Sequence, residues 1–244
     1  MAGATLTIAA PARIARLGGI MSVADVITDA RLGIGPEVVY QAEGCEFPYT
    51  EVLRCFAETP PPDKTFSGIG IGDAIGEPFT IVAGVQCFLN SDLADFLRRA
   101  REQLAAGQDR ILEEVFGVWA DGGTALASGT SVAGAVATVE QELDDKYVGR
   151  GTIAMSRFDA VMADAAGILK MVDGVPQTIN GTPVLASGRI APGEVYGTGR
   201  IGVVHNNVQS YEATEYSTNK HFAIAENQFA LTVDCDFRVK SATS

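Results

Sequence analysis

The stretch from Asn90 to Ala120, NSDLADFLRRAREQLAAGQDRILEEVFGVWA, limits the possible folds more than any other part of this chain. Leu93, Phe96, Leu97, Ala100, Leu104, Ile111, Leu112, Val115, Phe116 and Trp119 recur at steps of three and four, the period of one helical face. Charged residues, Arg98, Arg99, Arg101 and Glu113 among them, fill the gaps. Ser91 stands where an N-cap belongs, with Asp92 and Asp95 in the first turn, where the helix dipole favours negative charge. Gly122 and Gly123 end the pattern. At 1.5 Å per residue the helix is roughly 40 Å long, far longer than the usual globular helix. It is expected to lie as a strut across a sheet.

The rest of the chain supplies that sheet. Residues 1–40 read as an extended arm, with a short helix expected around Val23 to Ala30. CEFPYTEVLRCF and EPFTIVAGVQCFL are candidate strands. Between them ETPPPDKTFSGIGIGDAIG, with its prolines and glycines, predicts a long projecting loop. After the long helix, Ser131 caps a second helix, VAGAVATVEQELDDKYVG, and GTIAMS follows as a buried strand. Ser156 caps a third helix, and GTPVLAS continues the alternation of a mixed α/β unit. RIGVVHNNVQSYEAT and HFAIAENQFALTVDCDF then read as two long strands joined by a turn at Glu215 to Asn219. Phe229, Leu231, Val233, Cys235 and Phe237 share one parity, while Phe222 and Ile224 have the other. That shift predicts a bulge or break near Glu226 to Gln228.

Composition removes several function classes. The 244 residues are 47% hydrophobic, enough for a sizeable core, and no window resembles a membrane span. The net charge of −12 and the absence of any basic run argue against sequence-specific nucleic-acid binding. An acidic surface is still compatible with a container that encloses DNA without gripping it. Cys45, Cys55, Cys87 and Cys235 show no CxxC spacing and only two histidines are present, so no metal set is expected. The thiols read as buried and free, although Cys45 and Cys55 flank a possible hairpin and could face each other.

Catalytic patterns are weak. Gly197, Gly199 and Gly202 form a literal GxGxxG, but the residues after it read as strand and not as the helix a dinucleotide site needs. Glu113 with Glu114 and Asp144 with Asp145 are expected on solvated helix faces. Asp234 and Asp236 flank Cys235 and are expected to face solvent or a subunit contact. No nucleophile–histidine pattern is visible. The chain reads as a non-enzyme without cofactors, built to touch many copies of itself.

The order of arm, projecting loop, long helix, α/β unit and final hairpin resembles the major capsid proteins of tailed double-stranded DNA phages, which have the Hong Kong 97-type capsid fold. GTIAMSRFDAVMADAAGIL, NGTPVLAS and EVYGTGRIGVV resemble segments of actinophage-like members. TNKHFAIAENQFALTVDCDF resembles their ending, through Asn219, Ala225–Glu226 and Asp234–Cys235. The resemblance implies an α+β fold with an N-terminal arm at 1–40 and an extended loop, the E-loop, at 41–88. It places the spine helix and the start of the peripheral domain at 89–130, the axial domain at 131–199 and the peripheral sheet with the C-terminus at 200–244.

It further implies hexamers and pentamers that close an icosahedral shell around packaged double-stranded DNA, located in the virion and assembled in the host cytoplasm. It leaves room for a scaffolding and a decoration protein. Many such proteins begin with a scaffolding segment, and this chain is expected to lack one. Lys64, Phe66, Ile69, Ile71 and Asp73 of the loop, Arg98 and Arg101 of the spine and Asn219 of the sheet become the candidate subunit contacts. Some members crosslink a loop lysine to an asparagine. Here Lys64 is expected to stay uncrosslinked, although Asn206, Asn207 or Asn219 could face it. An encapsulin-like compartment shell, or more distantly a small nucleotide-binding α/β enzyme, would be the alternative.

Overall fold

A computed structural model describes residues 17–33, 37–42, 44–48, 73–88 and 92–243. Its longest element is α2, Leu93–Asp121. The N-cap is Asp92, not Ser91: its carboxylate accepts the backbone N–H groups of Ala94 and Asp95. A carboxylate at this position also meets the positive end of the helix dipole. Ala100, Leu104, Leu112, Phe116 and Ala120 form the buried face.

Before α2 come α1 (Ile20–Val23), β1 (Asp25–Thr28), β2 (Val38–Gln41), β3 (Asp73–Gly76) and β4 (Phe79–Phe88). The helix expected at Val23 to Ala30 is therefore absent. Val26, Ile27 and Thr28 are β-branched, and β1 pairs in parallel with a strand far along the chain, β11 (Ile201–His205). β2 and β3 pair antiparallel from Val38↔Gly76 to Gln41↔Asp73. This short ladder brackets the stretch expected to form a projecting loop and is called the loop foot below; residues 49–72 lie outside the described residues.

After α2 follow β5 (Thr124–Ala125), α3 (Val132–Lys146), β6 (Thr152–Ser156), α4 (Arg157–Ala165), β7 (Leu169–Val172), β8 (Val175–Thr178), β9 (Val184–Ser187) and β10 (Glu194–Thr198). The expected caps are in place: Ser131 accepts from Gly134 N–H, and Ser156 from Asp159 N–H. β12 (Gln209–Glu215), β13 (Lys220–Val233) and β14 (Arg238–Ala242) complete the order.

Two five-stranded sheets result. In the first, β13 is central. β4 pairs along one edge, and β12 and β11 lie end to end along the other. The expected bulge or break does not interrupt β13 itself, whose register with β4 is unbroken from Lys220↔Phe88 to Phe229↔Phe79. The one-residue slip sits across the ladder, where His205 pairs with Phe229 but Gln209 pairs with Glu226. β13 instead buries both faces. Ala225, Phe229 and Val233 meet the core under α2, while Ala230 joins Leu32 and Val204 on the reverse side. The strand stops at Asp234–Asp236, where Cys235 and Asp236 take positive φ angles of 58° and 48°.

The second sheet runs β5-β14-β10-β6-β9. Its C-terminal strand β14 lies within the range 200–244 expected for the peripheral sheet and C-terminus, yet it pairs with β10 and β5. Ile153, Met155, Val184 and Val195 face α3 and α4, while Ala154, Leu185 and Tyr196 face the core shared with α2. A sheet covered on both faces explains the uninterrupted apolar runs of β6 and β9.

Cys45 and Cys235 form a disulfide with Cα atoms 5.7 Å apart, across a sequence separation of 190. Cys45 is therefore neither free nor paired with Cys55, and no local spacing could reveal such a distant partner. Glu113 is fully buried rather than solvated. It accepts from the Ser187 hydroxyl at 2.7 Å and, more loosely, from the Ile20 N–H at 3.4 Å. Glu114, Asp144 and Asp145 are exposed as expected. Asp234 is half-buried and accepts from the Tyr147 hydroxyl at 2.7 Å, while Asp236 is exposed.

Candidate assembly surfaces

The long helix α2 turns two faces to its surroundings. The inner face fills the core, but Ile111, Val115 and Val118 form a second apolar stripe at steps of four and three that faces outward. Val118 is 77% exposed. The sequence pattern counts Ile111 and Val115 with the core, because a helix with two apolar stripes cannot be divided by periodicity alone.

The sequence reading does not anticipate a second outward surface. On α4, Phe158 and Val161 are 63% and 67% exposed, with Met162 beside them. The opposite side of the same helix buries Asp159 and Ala163. A signal for it exists: RFDAVMADA carries apolar residues around most of its circumference, and a helix of that kind is covered on more than one side.

The expected contact residues fare unevenly. Lys64, Phe66, Ile69 and Ile71 lie outside the described residues, and Asp73 pairs with Gln41 in the loop foot. Arg98 bonds within its own helix, to Asp95 and Glu102, each at 2.5 Å. Arg101 donates to Ser210 at 2.8 Å and so ties the spine to β12. Asn219 holds a positive φ of 56° in the turn between β12 and β13. Asparagine suits that conformation through its short polar side chain. These three residues have local work and are not gathered into one site.

Charge pairs brace the edges of the sheets. Arg200 donates to both oxygens of Asp25, at 2.7 and 2.8 Å, and joins β1 to the start of β11. These hydrogen bonds hold the Asp25 carboxyl below its usual range. The Arg31 guanidinium beside Asp29 lowers that carboxyl to about 2. Lys240 bonds Asp121 at 2.7 Å where the spine meets β14.

Among the described residues, the glycine pattern at 197–202 does not form the strand-to-helix turn of a dinucleotide site. Gly197 lies in β10 and Gly202 in β11, both strands. The glycines are required by packing: a Cβ at Gly197 would lie 2.5 Å from Val139 Cγ1, and one at Gly199 would lie 2.2 Å from the Asp234 carbonyl. Among the described residues no group of three or more His, Cys, Asp or Glu side chains is placed to hold a metal. Among them, no helix is long and apolar enough to cross a membrane.

No known protein-family profile matches the chain. No curated protein matches its sequence. Solved structures do match it, along its whole length. The capsid of a native GTA particle aligns at a TM-score of 0.64 with 11% identity, covering 100% of this chain and 96% of that one. The capsid of Ralstonia phage GP4 aligns at 0.61, also with 11% identity and coverages of 100% and 96%. The chain has the Hong Kong 97-type capsid fold. A chain of Microbacterium phage Oxtober96 aligns with it at 0.59 and 12% identity, again over 100% and 96%. By the layout expected from the sequence, α2 would be the spine, the sheet around β13 the peripheral sheet, and the unit of α3, α4 and β6–β10 the axial unit.

Proposed function

We propose that the protein is a major capsid protein, a structural and non-enzymatic subunit that self-assembles into the shell of a phage head. The observation that carries this reading is the end-to-end likeness to capsid subunits, over 96% of the length of the GTA and Ralstonia phage chains. A compact enzyme that had borrowed part of the fold would not align over the whole of both chains.

The outward apolar stripes support the same reading. Ile111, Val115 and Val118 on the spine, and Phe158 and Val161 on α4, place apolar area on two separate elements. Several modest contacts per subunit give a stable shell by multivalency while each contact stays reversible during assembly. In this reading hexamers and pentamers close around double-stranded DNA. The E-loop lies over a neighbour's spine and the arm clasps a second neighbour. A net charge of −12 lets packaged DNA slide rather than adhere.

Negative-stain electron microscopy of the purified chain, beside its size-exclusion profile, tests the proposal. Closed shells, or rings of five or six, are expected, and nuclease-protected DNA in particles from producing cells would distinguish a genome from protein cargo. A stable monomer that bound a nucleotide, under conditions where no assembly formed with or without a scaffolding protein, would overturn it.

A further inference from the structure

The loop foot is held to the body of the protein unequally on its two sides. The β2–β3 ladder has four residue pairs and rests on the reverse face of the peripheral sheet. There Gly76 lies against the Leu231 carbonyl, so closely that a Cβ would come within 2.8 Å. The apolar cover is small, Leu32, Val204 and Ala230 with Val38 beside them. The large core lies on the other face, under the spine. One covalent link reinforces the weaker side: Cys45, four residues beyond β2, is bonded to Cys235.

Cys235 stands at the junction of the two large sheets. It sits between β13 of the peripheral sheet and β14 of the axial sheet, with a φ of 58° that side-chain-bearing residues seldom adopt. The bond therefore joins the loop foot to the point where the chain passes from one sheet to the other. Both cysteines are partly exposed, so small thiols and disulfides can reach them.

We propose that Cys45 and Cys235 form a redox latch that seats the loop foot on the peripheral sheet. The chemistry is thiol–disulfide exchange with a small disulfide such as oxidised glutathione. One cysteine thiolate attacks a sulfur of the small disulfide and expels one reduced thiol. The second cysteine then attacks the mixed disulfide and expels the other. Two cysteine thiols and one small disulfide give one Cys45–Cys235 bond and two small thiols, and both cysteine protons pass to the expelled thiolates. A dithiol reverses the process. The two sheets do not need the bond, since β13 is paired on both edges and β14 lies between β5 and β10. Opening the latch frees the foot and leaves the cores closed. This inference concerns the single chain and stands apart from the shell reading.

The test is peptide-level hydrogen exchange on the full-length protein, oxidised with glutathione disulfide or reduced with dithiothreitol. On reduction, peptides covering 37–48 and 73–78 are expected to exchange about tenfold faster or more, while those covering 100–120, 152–156 and 184–187 stay unchanged, the pattern of a local opening. Cys45→Ser and Cys235→Ser should each reproduce the reduced pattern and lose all response to dithiothreitol. Identical exchange in the two wild-type forms would overturn the latch. So would a rise spread over the whole chain, which would make the bond a global staple, or peptide mapping that joins Cys45 to any other cysteine. The wild-type comparison decides the matter even if a serine variant fails to fold.

Discussion

Glu113, fully buried in the middle of the spine, accepts the Ser187 hydroxyl at 2.7 Å at the end of β9. The same carboxylate lies 3.4 Å from the Ile20 N–H. One side chain thus pins α2, the strand β9 and the start of α1 together. Ser187→Ala removes a donor from a buried acceptor and should cost about 1–3 kcal/mol in urea unfolding. Glu113→Leu strands the Ser187 hydroxyl and should cost at least as much as Ser187→Ala. If both variants unfold at the wild-type midpoint, this junction does not organise the fold.

Two glycine substitutions should act in opposite directions. Gly107 lies within the spine, and an alanine methyl there would meet no atom within 4 Å, so Gly107→Ala should stabilise by about 0.5–1 kcal/mol through helix propensity. Gly199→Ala would drive a methyl to 2.2 Å from the Asp234 carbonyl and should destabilise by about 2 kcal/mol or more. Thermal unfolding of the pair reads both signs. A tolerated alanine at 199 would mean that the crossing between the sheets has slack.

Stability should erode at both ends of the pH scale. The hydrogen bonds from Arg200, aided by its charge, lower the Asp25 pKa from 3.8, so the folded chain binds that proton less readily than the unfolded one. The contribution is whole above the ordinary carboxylate range and is lost as pH falls through the lowered value. Most of this carboxylate faces water, so Asp25→Asn should cost under about 1 kcal/mol at neutral pH and nothing in strong acid. Tyr147 behaves in the opposite sense. Burial, aided by the acceptor Asp234, raises its pKa above 10.0, so its contribution is present below that value and is lost as pH climbs through the raised one. Burial and Glu194 raise Tyr196 in the same way. Phenolate absorbance should show these two tyrosines ionising only with unfolding, and Tyr147→Phe should remove one late step. Ionisation of every tyrosine before the fold opens would contradict the buried geometry.

Val118→Glu places a charge on the outward stripe of the spine without touching the core. The isolated subunit should keep its stability within about 0.5 kcal/mol, while particle yield falls sharply. Phe158→Glu on α4 makes a second, independent probe. Size exclusion beside circular dichroism separates the outcomes. Particles formed normally by both variants would remove these stripes from the assembly surface.

The sequence is most informative where the physics is local. The spine, the helices begun by Ser131 and Ser156, and the turn before Lys220 follow from periodicity, side-chain caps and an asparagine suited to positive φ. What escapes it depends on distant partners. The residues of β1 read as helix because their pairing strand lies near residue 203. Glu113 reads as solvated because its hydroxyl partner is 74 residues away. Cys45 offers no hint of Cys235, and the β7–β8 hairpin leaves too short a pattern to notice. The contact candidates Arg98, Arg101 and Asn219 are exposed, and the bonds that Arg98 and Arg101 make are internal ones.

The position of β14 has a consequence for the order of synthesis. It lies between β5 and β10, so the axial sheet keeps an open edge on β10 while the intervening peripheral strands are still being made. β5, produced far earlier, has no partner until β14 emerges to pair with it. During translation the nascent subunit therefore carries an unprotected strand edge, the kind of template that invites pairing with another chain. On crowded polysomes, neighbouring ribosomes would bring such edges together before either subunit is complete. Speed of elongation through the final strands, rather than the strength of the finished core, would then govern how much of the product stays usable.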